Sequence, residues 1–148
     1  MTADHELPDP EHQAPTGTSD QTVEAVGLVT EALETCEQAR GHLYAFHQLT
    51  GSADIKLGEA VQALRTAGHD TLADRLESEL VGRNVLSGRW TFQIVEDYDD
   101  GYWSVFRELE TQVRTELMDG RRHVFEARMK QSERTEGRPR HEATPHEN

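Results

Sequence analysis

A single cysteine, Cys36, excludes an internal disulfide and every cysteine-based metal motif. No run of eighteen apolar residues occurs, which excludes a membrane-spanning helix. No basic segment followed by an apolar run opens the chain, so the cytoplasm is the expected compartment. Gly-x-Ser-x-Gly and phosphate-cradling glycine loops are missing. So is Glu-x-x-His, which di-iron carboxylate bundles carry on two helices. His123-Val-Phe-Glu126 has the reverse order, and His42 and His47 stand five apart. A divalent site would have to combine His47 or His123 with Glu59 or Glu126, and the spacing lends that no support. No metal ligand and no cofactor are therefore expected. Asp97, Asp99 and Asp100 surround Tyr98 without the ligand ladder of an EF-hand.

Basic charge is also scarce, and the formal net charge is −13. Residues 1–17 hold four carboxylates and no Lys or Arg; residues 131–148 hold four Glu against three Arg. Twenty acids and twelve bases remain between them, or −8. Such a surface repels phosphate backbones and anionic lipid, so neither nucleic acid nor a membrane is an expected partner. The one basic run, Gly120–Lys130, falls near an expected helix end, where positive charge suits the dipole. Pro8, Pro10 and Pro15 in the first segment, and the polar composition of both, make 1–17 and 131–148 expected disordered tails. One domain, 18–130, is left to build a core.

What is present is an aromatic centre. Six of the nine aromatic residues lie between Trp90 and Phe106. Ahead of it, Thr18 and Gln21 fit a capping box. Val26, Val29, Leu33, Cys36, Leu43 and Tyr44 follow at helical spacing, giving a long helix to about Leu49, before Gly51. Ser52 caps a second helix with Leu57, Ala60, Val61 and Leu64 on one face, stopped at Gly68. After a turn with a solvated His69, Asp70 caps a third helix carrying Leu72, Leu76 and Leu80. Gly82–Arg89 reads as an ordered loop anchored by Val85 and Leu86.

Val95, Tyr98, Tyr102, Phe106, Leu109, Val113, Leu117 and Val124 keep one helical stripe. They predict a fourth helix from Trp90 to Lys130, about 60 Å long and kinked at Gly101. Alternation of Trp90, Phe92 and Ile94 before Asp100-Gly101 leaves a β-hairpin as the alternative. The expected fold is an all-α bundle of four principal helices, two long and two short, with disordered tails. Gly82-Arg-Asn-Val85 and Gly88-Arg-Trp-Thr-Phe-Gln-Ile-Val-Glu96 resemble stretches of small helical proteins of actinobacteria. Thirteen Arg against two Lys suit such a high-GC background. The resemblance implies a provenance and transfers no catalytic residue.

Some polar side chains fall on faces that should be apolar. Arg40 and His47 lie inside the first helical stripe, Arg83 and Glu79 close to the Leu72–Leu76 line, and Asp99 near the Val95 line. A charge directed at a core has to be paired, so an ion pair joining Arg40 or Arg83 to Asp99 or Glu79 is expected. It would serve as a polar lock between helices. Alternatively Arg40 and Arg83 hold an anionic ligand, with Asp99 beside them and Trp103 or Tyr98 stacking on its apolar part. Phe125 and Met129 fall beyond the expected reach of the two short helices, and apolar residues there call for a partner. The expected function is therefore a non-enzymatic helical interaction module that self-associates or binds a protein partner. A small-molecule binding protein or enzyme with its pocket at Arg40, Asp99 and Trp103 is the alternative.

Overall fold

The structure, a computed structural model, describes residues 6–145. It is all-helical: among the described residues no β-strand forms, and the one β-bridge joins Leu86 to Arg89 across a tight turn. Four helices carry the fold. The first, α1 (Asp20–Thr66), fuses the two that were expected on either side of Gly51.

The reason is its seam. Val26, Val29, Leu33, Cys36, Arg40, Leu43, His47, Thr50, Asp54, Leu57, Val61 and Leu64 are all buried or half-buried, at alternating spacings of three and four. That heptad register runs through the glycine without a slip. Gly51 and Ser52 themselves lie on the exposed side. Their weak helix propensity, about 1 kcal/mol for the glycine, is offset by the packing of Thr50, Asp54 and Leu57 around them.

Gly68, with φ 87°, ends this helix, and the His69 N–H donates to Leu64 O at 2.8 Å. Then α2 (Asp70–Glu79) doubles back, its Ala73 fully buried. Arg65 on α1 holds it by donating to Asp74 at 2.6 Å and to Glu77. Three contiguous segments make the second long helix: α3 (Thr91–Tyr98), a π-helical turn (Asp99–Trp103) and α4 (Ser104–Met118). The hairpin alternative at Asp100-Gly101 is thereby replaced by a single widened turn.

A π turn inserts one residue into the helical register. Tyr102 is consequently turned out, 62 % exposed, and Trp103 takes the inward place. The shift carries on down the helix. Leu109 and Leu117, expected in the stripe, are exposed, while Glu110 and Met118 are buried. The helix stops twelve residues short of the expected Lys130, because Asp119 (φ 52°) and Gly120 (φ 73°) both enter left-handed backbone. A separate helix, α5 (Val124–Glu133), follows.

Contacts divide the chain into two compact units. One joins the chain up to Thr35 with that from Val105 on; the other is Cys36–Ser104. The first has its core at Val23, Val26, Met118 and Val124, with Ala14, Val113 and Phe125 packed against it. Phe125 was expected to lie beyond the bundle, but it sits over Gly27, where an added Cβ would come within 2.6 Å of its ring. Met129 remains exposed.

The tail expectation falls partly outside the described residues. Within them, residues 6–17 include a 3₁₀ turn at Pro10–His12. Arg121 donates to Gln13 O at 2.8 Å, and buried Arg134 donates to Glu6 O at 2.8 Å and to Gln131 at 2.7 Å. In the second unit Cys36, Val61, Ala73 and Val95 are buried at separate points along its length.

Candidate functional site

In the middle of the α1 seam stand four polar residues, Arg40, His47, Thr50 and Asp54, where a coiled-coil register calls for apolar ones. Three of them meet a polar partner from the returning segment of the same unit. Arg40 donates through Nε and Nη2 to the two carboxylate oxygens of Asp99, at 2.6 and 3.0 Å. His47 Nδ1 and Thr91 Oγ1 share a hydrogen bond of 2.7 Å. Asp54 Oδ1 accepts from the Gly82 N–H at 2.9 Å. A row of side-chain hydrogen bonds thus fixes the register of Gly82–Asp99 along α1. Each is directional, and a slide of one turn would leave half-buried polar groups without partners.

Arg40 also lies against two aromatic rings. Its guanidinium carbon lies 4.1 Å from the Trp103 ring centroid and 4.9 Å from that of Tyr44. The two side chains of the ion pair keep 27 % and 21 % of their surface. The bidentate hydrogen bond from Arg40 holds the Asp99 carboxyl below its ordinary range, and Asp99 in turn raises the guanidinium. The π turn is what makes this geometry: it places Asp99 and Trp103 of one turn around one cation. Next to it, Tyr98 Oη donates to Cys36 O at 3.3 Å and lies 3.2 Å from Cys36 Sγ.

The ion pair read from the sequence is therefore present as Arg40–Asp99, joined by Trp103 and flanked by Tyr98. Arg83 stands apart from it and donates to the Glu79 carbonyl at 3.4 Å. Glu79 pairs instead with Arg75 on the surface of α2. With Nε and Nη2 committed to Asp99 and its faces against two aromatic rings, Arg40 has little left to offer an anion. The arrangement acts as a lock between helices. Arg83 lines a separate open cleft of about 510 Å³, with Thr50, Asp54, Leu57, Leu80 and Val85.

No protein-family model, curated protein or solved structure matches the chain.

The lock has a titration signature. The hydrogen bond with Cys36, and burial after it, push the Tyr98 phenol from 10.0 up to about 12. A raised folded-state pKa stabilises the fold fully below pH 10, and this contribution is lost as pH rises from 10 to 12. We expect an ultraviolet titration to show one tyrosinate step near pH 12 that Tyr98→Phe abolishes. The same step close to pH 10 would show that the phenol is not held by Cys36.

Beyond this row, the loop leading into α3 presents Leu80, Val85, Leu86, Trp90 and Phe92 as exposed apolar side chains. Trp90 is 56 % exposed, its ring centroid 5.1 Å from that of Phe92. Gly88 (φ 76°) makes the tight turn that closes Leu86 on Arg89. Gln93 Oε1 accepts the Trp90 backbone N–H at 2.9 Å and so starts α3. Val85 and Leu86, expected to anchor this loop, are exposed.

Proposed function

We propose that the chain is a non-enzymatic helical interaction module that self-associates through the apolar face Leu80–Phe92. One observation carries this reading: Leu80, Val85, Leu86, Trp90 and Phe92, all within one short stretch of the second unit, are exposed apolar side chains, Trp90 to 56 %. Exposed tryptophan, phenylalanine and arginine on one loop are the composition of an interface centre.

Arg83 on that loop is a cationic point on a chain of net charge −13, while Arg89 is paired with Asp97. Arg83 softens the repulsion between two copies. The remaining repulsion is screened by salt, so association strengthens as ionic strength rises. A small-molecule reading finds its support in the cleft beside Arg83, whose 510 Å³ falls in the range of ligand pockets, rather than at Arg40.

Light scattering on the full chain tests the proposal. The expected mass is twice 16.7 kDa at 0.3 M salt, falling to one chain in Trp90→Ser with helical circular dichroism unchanged. A mass of one chain at millimolar concentration overturns it. So does a dimer that is indifferent to Trp90→Ser and to Val85→Asp.

A further inference from the structure

The first unit gathers a second set of polar side chains, separate from the Arg40 row. Glu34 on α1, His123 at the N-cap of α5 and Glu126 in its first turn each offer a donor atom, all within 4.8 Å of one another. His123 Nδ1 lies 3.8 Å from Glu126 Oε1. A cation holding nitrogen and oxygen at about 2.0–2.2 Å sets neighbouring donors about 3–4 Å apart. The triad has to contract by about 1 Å, within the reach of a rotamer adjustment of the glutamates.

We propose that Glu34, His123 and Glu126 bind one divalent transition cation of the zinc class. The donor set carries the choice of metal. One imidazole nitrogen with two carboxylates suits a borderline ion and leaves a position for water, whereas calcium takes six to eight oxygens. Packing and a backbone hydrogen bond position the supports. Phe125, between His123 and Glu126, is seated on Gly27, and Glu34 lies two helical turns beyond Gly27 on the same face of α1. The Ala127 N–H donates to His123 O at 2.8 Å, which fixes the start of α5. Two neighbouring cations are directed elsewhere, Arg121 to Gln13 O and Arg128 to Asp20. A bound ion would tie α5 to α1 and stabilise the fold by mass action. The site does not depend on self-association.

The test uses the full chain and zinc alone, by calorimetric titration and thermal melting. One zinc per chain is expected, with a melting temperature raised by several degrees and no response to magnesium or calcium at the same concentration. Glu34→Gln and His123→Asn should each weaken zinc at least roughly tenfold. Asparagine keeps the left-handed backbone that His123 adopts (φ 59°), so the variant can fold. His69→Asn, in the exposed turn before α2, should change nothing. Should His123→Asn lose its helical circular dichroism, Glu34→Gln decides, because Glu34 is exposed on α1. Absence of saturable binding overturns the proposal, as does zinc binding that survives both substitutions.

Discussion

Arg114→Ala is expected to lower stability by about 3 kcal/mol and the melting temperature by about 10 °C. Arg114 and Glu110 are the most deeply buried ion pair on the helices, with 13 % and 7 % of their side-chain surface exposed. Arg114 Nε donates to Glu110 Oε1 at 3.1 Å, Thr30 Oγ1 donates to the same oxygen at 3.1 Å, and Arg114 Nη1 donates to Gly120 O at 2.8 Å. Truncating the arginine leaves a desolvated carboxylate with one neutral hydrogen bond, and it frees the turn that ends α4. An exposed i,i+4 pair would contribute about 0.3–0.5 kcal/mol, so magnitude separates the two situations. The paired replacement Glu110→Leu with Arg114→Met should recover most of the loss, since it removes both charges and fills their volume. Urea melts of the single and paired variants check this. A single variant within about 0.5 kcal/mol of the parent would mean that the pair is solvated.

Glu110 also shows where sequence reading stops. The all-α class and the Arg40–Asp99 pair follow from periodicity, because charges falling on an apolar stripe must find each other. The side on which the residues after Gly101 point does not follow. Unbroken helical spacing carries Tyr102, Leu109 and Leu117 inward, and one extra residue in the π turn replaces them with Trp103, Glu110 and Met118. Nothing in hydrophobicity marks that insertion, since Tyr102 and Trp103 are equally apolar neighbours.

The merging of the first two helices has a related cause. Gly51-Ser52 reads as a break by propensity, but the seam from Thr50 to Asp54 and Leu57 continues across it, and packing outweighs about 1 kcal/mol. Conversely Asp119-Gly120 was a legible stop, since glycine after the last turn is a helix terminator. The hydrophobic stripe reaching Val124 masked it. Arg134 and Glu6 escape any pattern: they are far apart in sequence and lie in segments whose composition reads as disordered.

Gly27→Ala makes two physical effects compete with opposite sign. On the helix alone, alanine in place of glycine gains about 1 kcal/mol. Against the fold, the new Cβ would stand 2.6 Å from Phe125 Cγ and 2.7 Å from its Cβ, where no real methyl group fits. These atoms are the root of the side chain, so a rotamer change cannot clear them, and the start of α5 has to move. Overpacking of this kind costs about 1–3 kcal/mol, and its site adjoins the Val23, Val26, Met118 and Val124 core. The expected net result is destabilisation, larger for Gly27→Val, where β-branching removes the helical gain. Phe125→Ala by itself also destabilises, because it uncovers that core. In the double variant Gly27→Ala with Phe125→Ala the clash with Cγ is gone and only the 2.7 Å approach to Cβ remains, so the two losses should fall short of additive, a coupling that a thermodynamic cycle measures directly. If Gly27→Ala instead stabilises the chain, α5 is not seated on α1 as described. The same displacement carries His123 and Glu126 away from Glu34, so Gly27→Val should weaken zinc while leaving every donor atom in the chain.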